Sequence, residues 1–112
     1  MHIDMNNLNM LKEIIGDDLK SILDVFLDTT PDSILQLQEA VASNTTAKVQ
    51  SIAHTIKGSS ANVGANQLSN LASELEQKAK ANDTNAFASL LSKIIAEAQV
   101  VEQGLKSYIQ TF

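Results

Sequence analysis

The chain contains no cysteine and a single proline among its 112 residues. Without cysteine, a disulfide scaffold, a cysteine-ligated zinc site and thiol catalysis are excluded. With only four glycines besides that proline, helix breakers are scarce, and the abundance of Leu, Ala, Ile, Gln, Glu and Lys favours helices. The length and the 44% apolar and 19% charged content indicate one folded domain over residues 1–112.

Basic residues are also few: 8 Lys and Arg stand against 13 Asp and Glu, which gives a net charge of −5. Nucleic-acid binding needs a basic surface, so it is not expected. The N-terminal segment lacks the basic start and apolar run of a signal peptide, and no stretch is apolar enough to span a bilayer. We therefore expect a cytoplasmic protein. The initial methionine favours a free-standing domain, although a domain excised from a longer protein stays open.

Caps and breakers divide the first part of the chain into three predicted helices. Thr30 followed by Pro31 has the pattern of an N-cap with proline in the first turn, which places a helix boundary there. The other boundaries of this part are Asn6 or Asn7 at the start of the first helix, Gly16 at its end, Asp17-Asp18 at the start of the second, and Ser43-Asn44 at the end of the third.

Three more helices are predicted in the rest of the chain. The first is capped by Thr45 or Thr46 and runs to about Val63, with Gly64 as breaker. The second is capped by Asn66 and runs to the turn Asn82-Asp83-Thr84, and a long last helix runs from Phe87 to Tyr108. No segment shows the period-two alternation of a strand. We therefore predict an all-α protein, an antiparallel four-helix bundle with an additional short N-terminal helix or helices.

His54 lies on the helix predicted after Thr45, and its direction can be calculated. At about 100° per residue, the apolar residues of this helix point within about 50° of a common direction, whereas His54 points about 150° away from it. This position argues against a core histidine. The core-facing stripe consists of Val49, Ile52, Ala53, Ile56, Ser60 and Val63. The other histidine, His2, lies in a terminal segment and is assigned no function.

Small residues surround His54, where a surface helix usually carries Lys, Glu or Gln. Ala47, Gly58 and Ala61 share its face, and glycine inside a helix costs about 1 kcal/mol relative to alanine. Small side chains let another protein approach the imidazole, so we predict that these three positions belong to a docking surface. Lys57, three residues after His54, lies at the border of this face, where its ammonium can neutralise an anionic group on the imidazole.

Glu76 is predicted to lie at the height of His54 on the following helix. Ten residues before the turn at Gly64 lead to His54, and a similar distance after it leads to Glu76. Glu76 lies about 80° to one side of the apolar stripe of its helix. We predict that it accepts a hydrogen bond from His54 Nδ1–H, which fixes the tautomer and leaves the Nε2 lone pair free as a nucleophile. The alternative is a solvated carboxylate.

The segment AHTIKGSSANVG, residues 53–64, resembles the signature of the histidine phosphotransfer (HPt) family. In that family the phosphorylated histidine is followed by a lysine three residues later, a glycine four residues later and a second glycine further on, as are His54, Lys57, Gly58 and Gly64 here. The following helix, with Glu76, resembles the family's next helix, in which Gln or Glu often bonds the histidine ring. The resemblance covers most of the chain.

The resemblance implies a mechanism. A receiver domain carrying an aspartyl phosphate would dock over His54, and Nε2 would attack phosphorus in line. The group would then pass to the aspartate of a second receiver, in a response regulator or a hybrid sensor kinase. Mg²⁺ would belong to the receiver. No cofactor and no metal are expected on this domain, which we expect to be a monomer and a phosphotransfer intermediate without kinase activity of its own.

Other functions are less well supported by the residues. No Gly-Lys-Ser/Thr phosphate loop is present for a kinase, and His54 has no helical partner in a metal-ligand pattern. The alternative that stays open is a helical adaptor that binds a signalling partner without phosphorylation. An adaptor would need neither His54 nor Lys57. A domain that only drains phosphate from one receiver is not distinguished from a relay.

Overall fold

A computed structural model describes residues 2–112, which form five α-helices, one 3₁₀ turn and no strand. The helices are α1 Met5–Ile15, α2 Asp18–Ala42, α3 Thr46–Asn62, α4 Asn66–Lys80 and α5 Phe87–Ile109, with the 3₁₀ turn at Thr84–Ala86. Each of α2 to α5 packs against two neighbours, so that α3 lies between α2 and α4, and α5 closes the ring. The bundle measures 42 × 20 × 19 Å. The predicted all-α bundle with a short N-terminal helix is confirmed.

A single hydrophobic core runs along the axis of the bundle, and every helix contributes to it because each carries apolar residues three or four positions apart. Its largest fully buried side chains are Leu8, Leu19, Leu23, Leu37, Val49, Ile56, Val63, Leu68, Leu75, Phe87, Ile94 and Leu105. No helix among residues 2–112 is both long and apolar enough to cross a membrane.

The predicted boundary at Thr30-Pro31 is wrong, because α2 continues through Pro31 as one helix of 25 residues. Thr30 is buried inside the helix, whereas an N-cap lies at its end. The proline has no backbone N–H and therefore leaves the Leu27 carbonyl without its helical hydrogen bond. Apolar residues on both sides of Pro31, Phe26 and Leu37, pack into the same core, and this burial outweighs the local cost of the proline.

Two helix starts also differ from the prediction. Asp4, not Asn6 or Asn7, is the N-cap of α1, since its carboxylate accepts a hydrogen bond from the Asn7 N–H at 3.1 Å. Asn66 is the first residue of α4 rather than its cap. Gly64 ends α3 as predicted and has a φ of +76°, a conformation that glycine adopts without strain.

The residues before α1 hold it at the α3–α4 turn. The Asp4 N–H donates to the Gly64 carbonyl at 2.8 Å, and the buried Ile3 packs directly over Gly104 of α5. His2, which was assigned no function, is hydrogen-bonded through Nδ1 to Glu97 of α5 at 2.7 Å. These contacts place α1 beside the end of the bundle that contains the α3–α4 turn.

Replacing Pro31 with alanine should stabilise the protein. Pro31 is exposed, so alanine removes no core contact, and it restores the hydrogen bond to the Leu27 carbonyl. We expect the free energy of unfolding in urea to rise by about 1–3 kcal/mol. Asp32→Ala, at the neighbouring exposed position, is the control and should change it by less than about 0.5 kcal/mol. An unchanged or reduced stability of Pro31→Ala would contradict this account of α2.

Candidate functional site

His54 is on the surface of α3, where the helix geometry predicts it. Its side chain is 67% exposed, while Val49, Ala53, Ile56 and Ser60 on the opposite side of the helix are buried. The imidazole is therefore accessible to another macromolecule without any rearrangement of the bundle.

Glu76 of α4 contacts the inner edge of the imidazole. Its Oε2 lies 2.9 Å from His54 Nδ1, and its side chain is only 5% exposed. An ionised carboxylate only accepts hydrogen bonds, so Nδ1 carries the proton and donates. In neutral histidine this leaves Nε2 unprotonated, with its lone pair available as a nucleophile.

Lys57 is also bound to Glu76. Its Nζ donates to Oε1 at 2.8 Å. The ammonium that can neutralise an anionic group on His54 is therefore bound to the neighbouring carboxylate in this structure. The Ser69 hydroxyl donates to the Lys57 carbonyl at 2.9 Å and joins α4 to α3 at this level. The three predicted chemical residues, His54, Lys57 and Glu76, thus form one hydrogen-bonded cluster across the two helices.

Glu76 stays ionised in this cluster. The hydrogen bond from Lys57 lowers the pKa of Glu76 below its ordinary value of 4.5, and the hydrogen bond from His54 acts in the same direction. Burial of the carboxylate opposes both effects but is outweighed. Glu76 therefore carries its negative charge at neutral pH and orients the ring that it contacts.

Lys80 is a fourth member of the site that the sequence reasoning did not identify. Its Nζ lies 3.9 Å from Glu76 Oε2, the same oxygen that contacts His54. A shallow depression next to the imidazole is lined by residues of α3 and by Glu76 and Lys80. The signal in the sequence is the spacing of four residues after Glu76, which places both side chains on one face of α4.

The predicted docking residues Ala47, Gly58 and Ala61 are all exposed. A Cβ added to Gly58 would meet no atom within 4 Å. The packing of the fold therefore does not require a glycine there, and its presence keeps the surface next to His54 free of side-chain atoms.

Other exposed apolar residues lie on α1 and α2. Ile22 and Val25 of α2 are 44% and 59% exposed and line a groove with Ser59 and Asn62 of α3. Ile14, at the end of α1, is 70% exposed. Helical spacing alone does not show which edge of an apolar stripe a neighbouring helix covers.

No metal site accompanies this cluster. Among residues 2–112, no group of three or more histidine, aspartate or glutamate side chains is arranged to hold a metal ion. The geometry of the cluster supports nucleophilic attack by Nε2, with a buried carboxylate behind the ring and two ammonium groups beside it.

Glu76→Gln should destabilise the protein more at neutral pH than in acid. Because the pKa of Glu76 is lowered on folding, its ionisation stabilises the folded state above pH 4.5, and this contribution is lost as the pH falls below that value. We expect a loss of about 1–2 kcal/mol at pH 7, measured by urea unfolding, and a smaller loss at pH 3. Glu74→Gln, an exposed change on the same helix, is the control. An equal loss at both pH values would show that the charge is not responsible.

Comparisons with known proteins identify the family of the chain. The chain is 29% identical over 112 residues to the phosphorelay protein LuxU of Vibrio harveyi, covering 96% of this chain and 98% of LuxU. Its fold matches the crystal structure of histidine-containing phosphotransfer protein B (HptB) from Pseudomonas aeruginosa PAO1, with a TM-score of 0.94 and 26% identity over 99% of this chain and 96% of the other. Residues 21–106 match the Hpt domain family, and the chain belongs to that family.

Proposed function

We propose that His54 accepts a phosphoryl group from the aspartyl phosphate of one receiver domain and passes it to the aspartate of another. The observation that carries the proposal is the exposed imidazole whose Nδ1 is held by the buried carboxylate of Glu76. As a member of the Hpt family, similar to a phosphorelay protein, the chain is a phosphotransfer intermediate of two-component signalling rather than a kinase.

The transfer step follows from the tautomer. The Nε2 lone pair forms the N–P bond while the P–O bond to the receiver's aspartate breaks, and the carboxylate leaves with the electron pair. The ring, still protonated at Nδ1, then becomes positively charged. Oε2 of Glu76 lies 2.9 Å from Nδ1, the nitrogen that carries this proton, and its negative charge is already in place to stabilise the positive charge that develops on the ring. In the reverse direction, the same arrangement makes the ring a good leaving group.

The partner surface would extend from His54 toward α1. Gly58 and Ala61 offer no side chain that blocks an approaching domain, and the exposed Ile22 and Val25 provide apolar area beyond them. Burial of apolar residues at the centre of an interface supplies most of its binding energy. We propose that a receiver, in a response regulator or a hybrid sensor kinase, covers this surface and brings its own Mg²⁺, and that this domain acts as a cytoplasmic monomer.

A helical adaptor without phosphorylation stays the alternative, and the cluster argues against it. An adaptor needs no nucleophile, yet here a buried carboxylate is used to fix the tautomer of an exposed imidazole. Burying a charge costs free energy that only its partners offset. The arrangement is explained by chemistry at His54 and not by docking alone.

His54→Gln should abolish phosphoryl transfer. We expect the full chain to take up radiolabelled phosphate from phosphorylated receivers of its host, in an acid-labile and base-stable linkage, while the variant takes up none. Thr55→Gln, at the adjacent exposed position, controls for a change of side chain on this face and should retain transfer. Uptake by His54→Gln at the level of the unchanged protein, or no uptake by the latter, would refute the proposal.

Gly58→Gln should slow phosphoryl transfer without destabilising the fold. The variant side chain extends into solvent in the free protein, since a Cβ at this position meets nothing within 4 Å. We expect its free energy of unfolding to rise by about 0.5–1 kcal/mol, because glycine is a poor helix former. Transfer from a receiver should nevertheless slow by about tenfold or more, equivalent to about 1.4 kcal/mol in the docked complex.

The matched control for this variant is Ala96→Gln. Ala96 is an exposed residue on α5, the helix diagonal to α3, so its replacement should leave the rate of transfer unchanged. Equal rates for Gly58→Gln and Ala96→Gln would show that the partner does not approach over Gly58.

A further inference from the structure

We propose that Lys80, rather than Lys57, provides the positive charge that holds the phosphoryl group on His54, and that Lys57 acts indirectly by keeping Glu76 ionised. The inference rests on the proposed function and assigns different tasks to the two lysines beside the histidine. Both reach Glu76, but they reach it in different ways.

Lys57 is hydrogen-bonded to the carboxylate of Glu76. Its Nζ hydrogen-bonds Oε1 at 2.8 Å, and its side chain is 34% exposed. Moving this ammonium to a phosphoryl group would leave Oε1 of a carboxylate that is 5% exposed without its donor. Loss of one partner from a buried charge is costly, because the remaining charge is neither solvated nor paired. Lys57 is therefore a positioning residue.

Lys80 lies near the same carboxylate but is not hydrogen-bonded to it. Its Nζ lies 3.9 Å from Oε2 and makes no hydrogen bond among the residues that the structure describes, and its side chain is 49% exposed. An ammonium on a flexible stem in this state can turn toward a new anion at small cost. It leaves no donor missing from Glu76, since Oε2 keeps its hydrogen bond from His54.

The position of Lys80 also suits the task. It borders the depression beside the imidazole together with His54, Thr55 and Gln50, whereas Lys57 does not line that depression. Lys80 and His54 meet at the same carboxylate oxygen. A dianionic phosphoryl group on Nε2 adds strong acceptor oxygens next to this depression, where Lys80 is the ammonium at its rim. The charged side chains facing the ring are thus Lys57 from α3 and Glu76 and Lys80 from α4.

The test uses the full chain phosphorylated on His54 with phosphoramidate, in which the imidazole displaces ammonia from phosphorus without any receiver. The ³¹P resonance of the phosphohistidine is followed as a function of pH. An adjacent ammonium favours the dianion, so Lys80→Gln should move the titration midpoint upward by about half a pH unit. Lys80→Arg, which keeps the charge, should restore the midpoint.

Two controls distinguish this role from a general loss of charge. Lys78→Gln removes the same charge from the same helix, but Lys78 lies beside Asp83, with its Nζ 3.6 Å from the carboxylate, and should leave the midpoint unchanged. Lys57→Gln should lower the free energy of unfolding while moving the midpoint less than Lys80→Gln.

Transfer from a phosphorylated receiver should slow about fivefold in Lys80→Gln and recover in Lys80→Arg.

Three results would overturn the assignment: equal midpoints for Lys80→Gln and the unchanged protein, equal shifts for Lys80→Gln and Lys78→Gln, or a larger shift for Lys57→Gln than for Lys80→Gln. Failure of the proposed function would look different. In that case receivers exchange no phosphate with the protein at all, while the phosphoramidate experiment still reports which lysine faces the phosphoryl group.

Discussion

The buried carboxylate of Glu76 is the interaction on which the site depends. One oxygen accepts from His54 Nδ1 and the other from Lys57 Nζ, so a single side chain of α4 orders two side chains of α3. An exposed imidazole would otherwise sample both tautomers and several rotamers. The carboxylate selects the tautomer with a free Nε2 and presents it to solvent. It has this effect only while it is charged, which explains why two lysines lie beside it in a protein of net charge −5.

The bundle supplies the rigidity that this arrangement needs. α3 and α4 meet at the tight turn of Gly64, and buried residues on both helices fix their register. The hydrogen bond from Ser69 to the Lys57 carbonyl fixes it further at the level of the site. The segment before α1 binds the same turn through Asp4. Placing the histidine and its carboxylate on facing helices thus holds them more precisely than loops would.

Much of this could be predicted from the sequence because helical periodicity is a local property. The direction of His54 follows from the spacing of Val49, Ala53 and Ile56, and the height of Glu76 follows from counting equal lengths on either side of Gly64. Pro31 shows where such reasoning fails. Proline favours the start of a helix, but residues in both halves of α2 pack into the core and keep the helix continuous. These contacts join residues far apart in the sequence, so a local pattern does not show them.

The pairing of the two lysines was the other feature that local patterns did not reveal. Lys57 and Lys80 are both within reach of Glu76, and only the packed helices show that one is hydrogen-bonded and the other is not. The exposure of Ile22 and Val25 likewise depends on which side of α2 its neighbours cover.

If Glu76 leaves Nε2 as the nucleophile of His54, the phosphoryl group must be bonded to Nε2, and its position on the ring can be measured directly. Long-range ¹H–¹⁵N and ³¹P correlation spectra of the phosphorylated protein identify the nitrogen bonded to phosphorus. We expect phosphorus on Nε2, with Nδ1 still facing Glu76. Phosphorus on Nδ1, or a mixture of both isomers, would show that Glu76 does not select the nucleophile.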